Sequence, residues 1–371
     1  MEIVKTCVQA RRCLPQLLFE DCSKVEGARG CVRSKYDGAF FIYKQEGVVH
    51  GLIGTHVDDI DHAGTEEFYD QVMNPLRTYF KFGTMSQEAF KYVGWNISHA
   101  GDDIIIDQND YIEEKIEQID VETKRKKEKN DELTEVEKER FRSAVGKGRW
   151  LTDQTRPDCS FDELELSMMT NKATVSDLLK INKMFLKFHQ DKVDLRFKKL
   201  GDLKDIKLSV FSDASYANLP DGESSGMGYL IFLTIGYQPG RDSPCCLLSW
   251  ASCELRQKVT STLAAETLSL LAALEQAIVI CNQIEEVFDS KPKIEAFIDN
   301  NDAYEAVYSL KQEMKGHLRI DIGCIKEMVA EKEVESVTWI PASLQLADCL
   351  TKRGASTKAL VRTLNKGCFS H

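Results

Sequence analysis

Short apolar runs bounded by turn residues predict strands, and longer apolar stretches with helical spacing predict helices. The pattern is sharpest from Ile206 onward. Runs at Ile206–Phe211, Gly226–Thr234 and Cys246–Ala251 predict three antiparallel strands. A long apolar stretch from Ser261 to Phe288 predicts one helix. A fourth strand follows at Lys293–Ile298, then helices near Asp302–Leu310 and Leu318–Ala330. Ser336–Ile340 predicts a fifth strand, and a last helix is expected to start near Leu344. Meander strands followed by βαβ crossovers give a five-stranded mixed sheet with flanking helices over 206–371.

The preceding chain is less regular, with α+β character. Cys7 to Phe19 reads as helical, followed by a Gly-containing loop to about residue 33. Ala39–Tyr43 and Val48–Val57 flank Lys44-Gln45-Glu46-Gly47 and predict a hairpin. The second strand runs into Asp58 and Asp59 at a turn, where two adjacent carboxylates are costly unless solvated or bound to a cation. A helix is expected from about Glu66 to Phe80, then strands at Tyr92–Ile97 and Asp103–Asp107, then a helix opened by Gln108–Ile112. Residues 121–140 alternate charge signs, as a solvated loop entering a helix does, and Thr134–Glu137 has the spacing of a capping box. Thr155–Asp158 is a break, with helices predicted at Asp162–Thr170 and Ser176–His189. Lysines between 180 and 199 with interleaved Phe185, Phe188 and Phe197 fit an amphipathic helix with snorkelling lysines better than a nucleic-acid surface. Gly201–Asp205 is the best linker, which divides the chain into 1–115, 116–200 and 206–371.

Composition bounds the function. The chain has 371 residues, 43% hydrophobic and 29% charged, the balance of an ordinary globular protein with room for two or three domains. No run of 18 apolar residues predicts a membrane span, and the N-terminus lacks a basic-then-apolar leader. The twelve cysteines include no CxxC pair, which fits reduced thiols in the cytoplasm or nucleus rather than a secreted protein. The spacing of Cys7, Cys13, Cys22 and Cys31 does not resemble a zinc knuckle. A net charge of −11 argues against gripping nucleic acid by bulk electrostatics, but an acidic cation site is compatible with it.

Four acids stand in matching settings. Asp213 and Asp299 follow the first and fourth strands; Glu266 and Asp348 fall in the first turns of the long and final helices. Asp299 or Asp348 alone would read as a cap or a surface acid. In this order, neighbouring strands would bring the two aspartates together and the covering helices would add the other two. Clustered carboxylates without Cys or His suit two Mg²⁺ or Mn²⁺ ions and phosphodiester cleavage.

The motifs Phe211–Ala217, Ser224–Tyr229, Leu248–Ser252, Ser261–Glu266, Ile298–Ala303, Leu318–Ile322 and Trp339–Lys352 resemble the RNase H domain of copia-type LTR retrotransposon polyproteins, over nearly all of 206–356. The resemblance implies an RNase H-like fold and cleavage of the RNA strand of RNA–DNA hybrids. It places Asp213, Glu266, Asp299 and Asp348 on the metals, with Ser215 and Asn300 beside them touching the hybrid. No histidine stands just ahead of Asp348, which puts product release in a different light from some other RNases H. The earlier chain resembles the later part of the same family's reverse transcriptase. His56-Val57-Asp58-Asp59 stands where that family has Tyr-Val-Asp-Asp, Tyr92-Val93-Gly94 matches the primer-grip strand, and Thr155–Asp158 matches a connecting motif. The implied layout is a truncated palm over 1–115, a helical thumb or connection over 116–200, and an RNase H-like domain over 206–371. Asp58 and Asp59 would be palm metal ligands. The third palm aspartate is missing, and neither Asp21 nor Asp37 sits in its motif, so no autonomous DNA synthesis is expected. Other Pol or Gag products are implied partners, and a cytoplasmic virus-like particle or the nucleus the implied location. The alternative is a catalytically silent remnant that binds nucleic acid or protein; an integrase-type transferase fits the acid set poorly.

Overall fold

A computed structural model describes residues 4–10 (backbone only), 30–57, 59–79, 82–309 and 316–369. The chain is mixed α/β and divides into two compact units: Met1–Ile106 with Asn282–Lys291, and Asp107–Cys281 with Pro292–His371.

In the second unit the expected five strands form one mixed sheet. Lys207–Ser215 is central. It pairs antiparallel with Gly226–Thr234, which pairs antiparallel with Ser243–Glu254. On its other side it pairs parallel with Lys293–Ile298, which pairs parallel with Val334–Trp339. A short sixth strand, Cys368–Phe369, adds to Ser243 and Pro244. It brings Phe369 against Phe211, Phe232 and Tyr237, with ring centroids 4.8–5.7 Å apart. Each such aromatic pair adds about 0.5–1.5 kcal/mol beyond area burial, so this cluster anchors the middle of the central strand, two residues before Asp213.

The helix Thr262–Phe288 is long and apolar enough to cross a membrane by length and composition. Ala265, Leu270, Ala273, Leu274, Ala277 and Cys281 are buried along one side, as in a core helix that covers a sheet. Two boundaries differ from the sequence reading. The first strand does not stop at Phe211 but continues to Ser215, so Asp213 lies within it. The apolar run breaks there because Ser212 and Asp213 are polar, yet both are buried and bonded. No α-helix starts near Leu344. Two 3₁₀ turns, Ala342–Leu344 and Leu346–Leu350, occupy the segment, and the last α-helix is Lys358–Lys366. Gln345 separates the turns with extended backbone (φ −76°, ψ 101°).

The helical part of this unit matches expectation. Thr134 caps Glu135–Thr152 through a reciprocal capping box with Glu137. Arg125 draws the charged loop together, bonding Glu128, Asp131, Glu137 and the Glu132 carbonyl. Helices Ser160–Met168 and Val175–Gln190 follow. Phe185 and Phe188 are buried, while Lys180 pairs with Asp177 and Lys187 with Asp158. The basic pattern at 180–190 is therefore the solvent edge of an amphipathic helix.

The first unit carries an antiparallel sheet in the order Cys31–Arg33, Phe40–Gln45, Val48–His56, Asp59–Gly64, Val4–Ala10, Phe82–Ser86. The expected hairpin turns at Glu46 and Gly47, both with positive φ (49° and 81°). Helical segments Glu66–Phe68, Tyr69–Met73 and Asn74–Tyr79 fill the predicted helix. A Cβ on Gly51 or Gly64 would fall 2.0–2.2 Å from the Phe68 ring, so both glycines make room for it. Of the predicted helix from Cys7 to Phe19, Cys7–Ala10 is instead part of the strand Val4–Ala10, and the rest lies outside the described residues, which omit 11–29. Its β-branched Val4, Thr6 and Val8 recur every second residue, the strand period. Tyr92-Val93-Gly94 is likewise no continuous strand. Tyr92 pairs with Trp95 across a two-residue turn in which Val93 and Gly94 both have positive φ (50° and 80°).

Candidate metal centre

Register brings the first two acids together. Phe211 pairs with Phe297 in the parallel ladder, so two residues further on Asp213, still within its strand, and Asp299, just past the end of its own, come side by side. Asp348 comes from the 3₁₀ turn Leu346–Leu350. Gln345 fixes that turn: its side-chain amide donates to the Ser212 carbonyl (3.0 Å) and the Phe297 carbonyl (3.3 Å), and its Oε1 accepts from the Ala347 N–H (3.1 Å). One buried side chain thus ties together the three segments that carry Asp213, Asp299 and Asp348. The Trp339 indole donates to the Asp299 carbonyl (2.9 Å) and holds that loop from the far side.

Ligand oxygens of Asp213, Asp299 and Asp348 all lie within 4.8 Å of one another. Glu266 is not in that group, but it feels the charge of two of its members. Burial, and then the charges of Asp213 and Asp299, push Glu266 up to about 9. Asp213 is pushed up to about 6, first by burial, with Lys352 and the Thr351 hydroxyl pulling the other way. Burial also raises Asp299. The helix of Glu266 is fastened to the central strand one turn on: Ser269 donates to the Asp213 carbonyl (2.8 Å) and accepts from Ser212 (3.0 Å).

Ser215 is buried, and its hydroxyl has no hydrogen-bond partner. Asn300 caps the helix Asn301–Tyr308, its Oδ1 accepting from the Ala303 N–H at 2.9 Å. In the first unit, Asp59 opens its strand opposite His56, and Asp58 lies outside the described residues.

Sequence reasoning missed Thr351 and Lys352 as members of the site. Thr351 donates to Asp213 Oδ2; Lys352 reaches Asp213 Oδ1 (3.1 Å) and Asp348 Oδ1 (2.6 Å). The i,i+4 spacing of Asp348 and Lys352 was the available signal. The approach of this turn to the sheet requires Gly228, where a Cβ would sit 2.6 Å from Leu350 Cβ and 2.9 Å from Thr351 Cγ2.

The donor set suits divalent cations. It is all oxygen and mutually repulsive, and Glu266 Oε2 is buried without a hydrogen-bond partner, an orphan that a cation or its water would satisfy. Among the described residues no other group of three or more potential ligands converges in this way.

No protein-family model matches the chain, and no curated protein does. Among solved structures, the chain is similar to a foamy viral protease–reverse transcriptase in complex with an RNA/DNA hybrid, at 11% identity over 95% of this chain and 45% of that one, with a TM-score of 0.45. It is also similar to the N-terminal RNase H domain of a Mycobacterium tuberculosis protein fused to maltose-binding protein, at 13% identity over 39% of this chain and 91% of that one (TM-score 0.29). The RNase H1 of the halophilic archaeon Halobacterium salinarum shows 17% identity over 39% and 94% (TM-score 0.28). At these scores the similarity carries no weight for chemistry, which rests on the acids themselves.

Proposed function

We propose that the chain is a copia-type Pol fragment. Its 206–371 part is a two-metal ribonuclease H that cleaves the RNA strand of RNA–DNA hybrids. The observation that carries this reading is the convergence of Asp213, Asp299 and Asp348 from two parallel strands and a 3₁₀ turn, with Glu266 buried where the charges of Asp213 and Asp299 reach it. These four side chains would hold two Mg²⁺ or Mn²⁺ ions, which when bound supply water activation and charge neutralisation at a phosphodiester. The chain's own part is to orient. Gln345 and Ser269 lock the acid-bearing segments, and the buried sheet behind them excludes bulk water from one side. Asn300, next to Asp299 in sequence, and Ser215, two residues past Asp213, would stand beside the metals, Asn300 being the better placed to meet a hybrid because the Ser215 hydroxyl is buried.

The regions 1–115 and 116–200 are read as a palm remnant and a thumb or connection. The strand Val4–Ala10, which pairs with Asp59–Gly64, contains no carboxylate. DNA synthesis by this region would need a further carboxylate beside Asp58 and Asp59. The test is cleavage of a labelled RNA–DNA hybrid by the full chain with Mg²⁺ or Mn²⁺. Cleavage of the RNA strand alone, lost in Asp213→Asn, supports the reading; hybrid binding without cleavage would favour a silent binding module instead.

A further inference from the structure

The ammonium of Lys352 lies among the acids rather than beside them. Its Nζ contacts oxygens of two of the three converging aspartates, Asp213 and Asp348. Divalent cations of the Mg²⁺ class need carboxylate oxygens at about 2.0–2.1 Å in near-octahedral geometry, so an ammonium held on the same two carboxylates competes with an ion for their lone pairs and repels it. The backbone of Lys352 is secured independently, by its N–H to the Asp348 carbonyl (3.0 Å). The side chain is 41% exposed, whereas that of Asp213 is fully buried, so the lysine can leave toward solvent while the acids stay. Four carboxylates against one ammonium also leave the cluster short of positive charge.

We propose that Lys352 is an internal counter-ion that holds the metal-free acid cluster together and is exchanged for a divalent cation when the site is loaded. This rests on the two-metal reading of the site. The ammonium occupies the coordinating oxygens until an ion of higher charge displaces it. The exchange weakens metal affinity while keeping the empty site folded and its ligands in place.

The experiment is Mn²⁺ titration of the full chain by calorimetry, comparing wild type, Lys352→Met, Lys352→Arg and Asp213→Asn. Losing the two charge-assisted contacts that compete with loading should tighten Mn²⁺ binding in Lys352→Met by at least about tenfold. Lys352→Arg should bind no more tightly than wild type. Unchanged or weaker binding in Lys352→Met overturns the proposal. A second measurement needs no variant to fold: labelling of Lys352 in wild type by an amine-reactive reagent, read by mass spectrometry. Mg²⁺ should speed it several-fold by releasing the ammonium; unchanged or slower labelling overturns the exchange. If wild type binds Mn²⁺ and Asp213→Asn does not, yet Lys352→Met leaves affinity unchanged, the exchange fails and the proposed function stands. If wild type binds no Mn²⁺, both fall.

Discussion

Glu266→Gln should stabilise the metal-free protein at neutral pH while destroying its function. Glu266 is 6% exposed and held at about 9 by burial and by the charges of Asp213 and Asp299. Its ordinary value is 4.5. A carboxyl raised on folding is tolerated as the neutral acid. The fold therefore bears no cost below about pH 4.5, and a growing cost as pH rises toward 9. At about pH 7.5, three pH units above the ordinary value at ~1.36 kcal/mol each give a cost of about 4 kcal/mol. A recovery on the order of 2–4 kcal/mol is therefore expected on removing the charge. The glutamine amide lacks a partner for its N–H₂ just as the neutral acid lacks one for its O–H. The difference between two pH values therefore carries the test. Urea unfolding of chelator-treated wild type and Glu266→Gln at about pH 7.5 and about pH 4.5 is the assay. A gain of a few kcal/mol at the higher pH and under about 1 kcal/mol at the lower is predicted. Mg²⁺ should then stabilise wild type more than the variant. A variant that loses stability at the higher pH, or shifts equally at both, would show that Glu266 is an ordinary structural acid.

Asp158→Ala should cost about 3–5 kcal/mol in urea unfolding, because it leaves buried Arg156 without the carboxylate that its guanidinium grips at 2.8 and 2.9 Å. A midpoint close to wild type would show that the Arg156 stack on Phe188, 4.8 Å from the ring centroid, suffices alone. Gly228→Ala should push the Leu350–Thr351 turn off the sheet, costing about 1–3 kcal/mol and weakening Mn²⁺ binding; unaltered metal affinity would mean that the turn's position does not matter. Thr134→Ala should cost about 1 kcal/mol through loss of the capping box, with Mn²⁺ affinity unaffected since the cap is remote from the acids, and a drop in that affinity would be the contrary result.

Much of the second unit was legible because its strands are apolar runs and its helices carry their own punctuation. Lys293–Ile298 was placed to the residue, and Thr134 announced its helix. Legibility failed where polar residues are buried by tertiary partners. The central strand runs past Phe211 because Ser212 and Asp213 are bonded by Ser269, Gln345 and Thr351, none adjacent in sequence. The segment after Leu344 has helical composition, yet the Gln345 side chain bonds to two strand carbonyls and breaks it into 3₁₀ turns. The candidate acids were legible from their order. Lys352 was not, since an i,i+4 acid–lysine pair ordinarily reads as a surface ion pair.

The most direct measurement is cleavage of an end-labelled RNA–DNA hybrid by the full chain in Mg²⁺ and in Mn²⁺, with Asp213→Asn, Asp299→Asn and Asp348→Asn alongside. The account predicts metal-dependent cuts in the RNA strand alone, abolished by each substitution. A folded, metal-binding wild-type chain that leaves the RNA strand intact would contradict it.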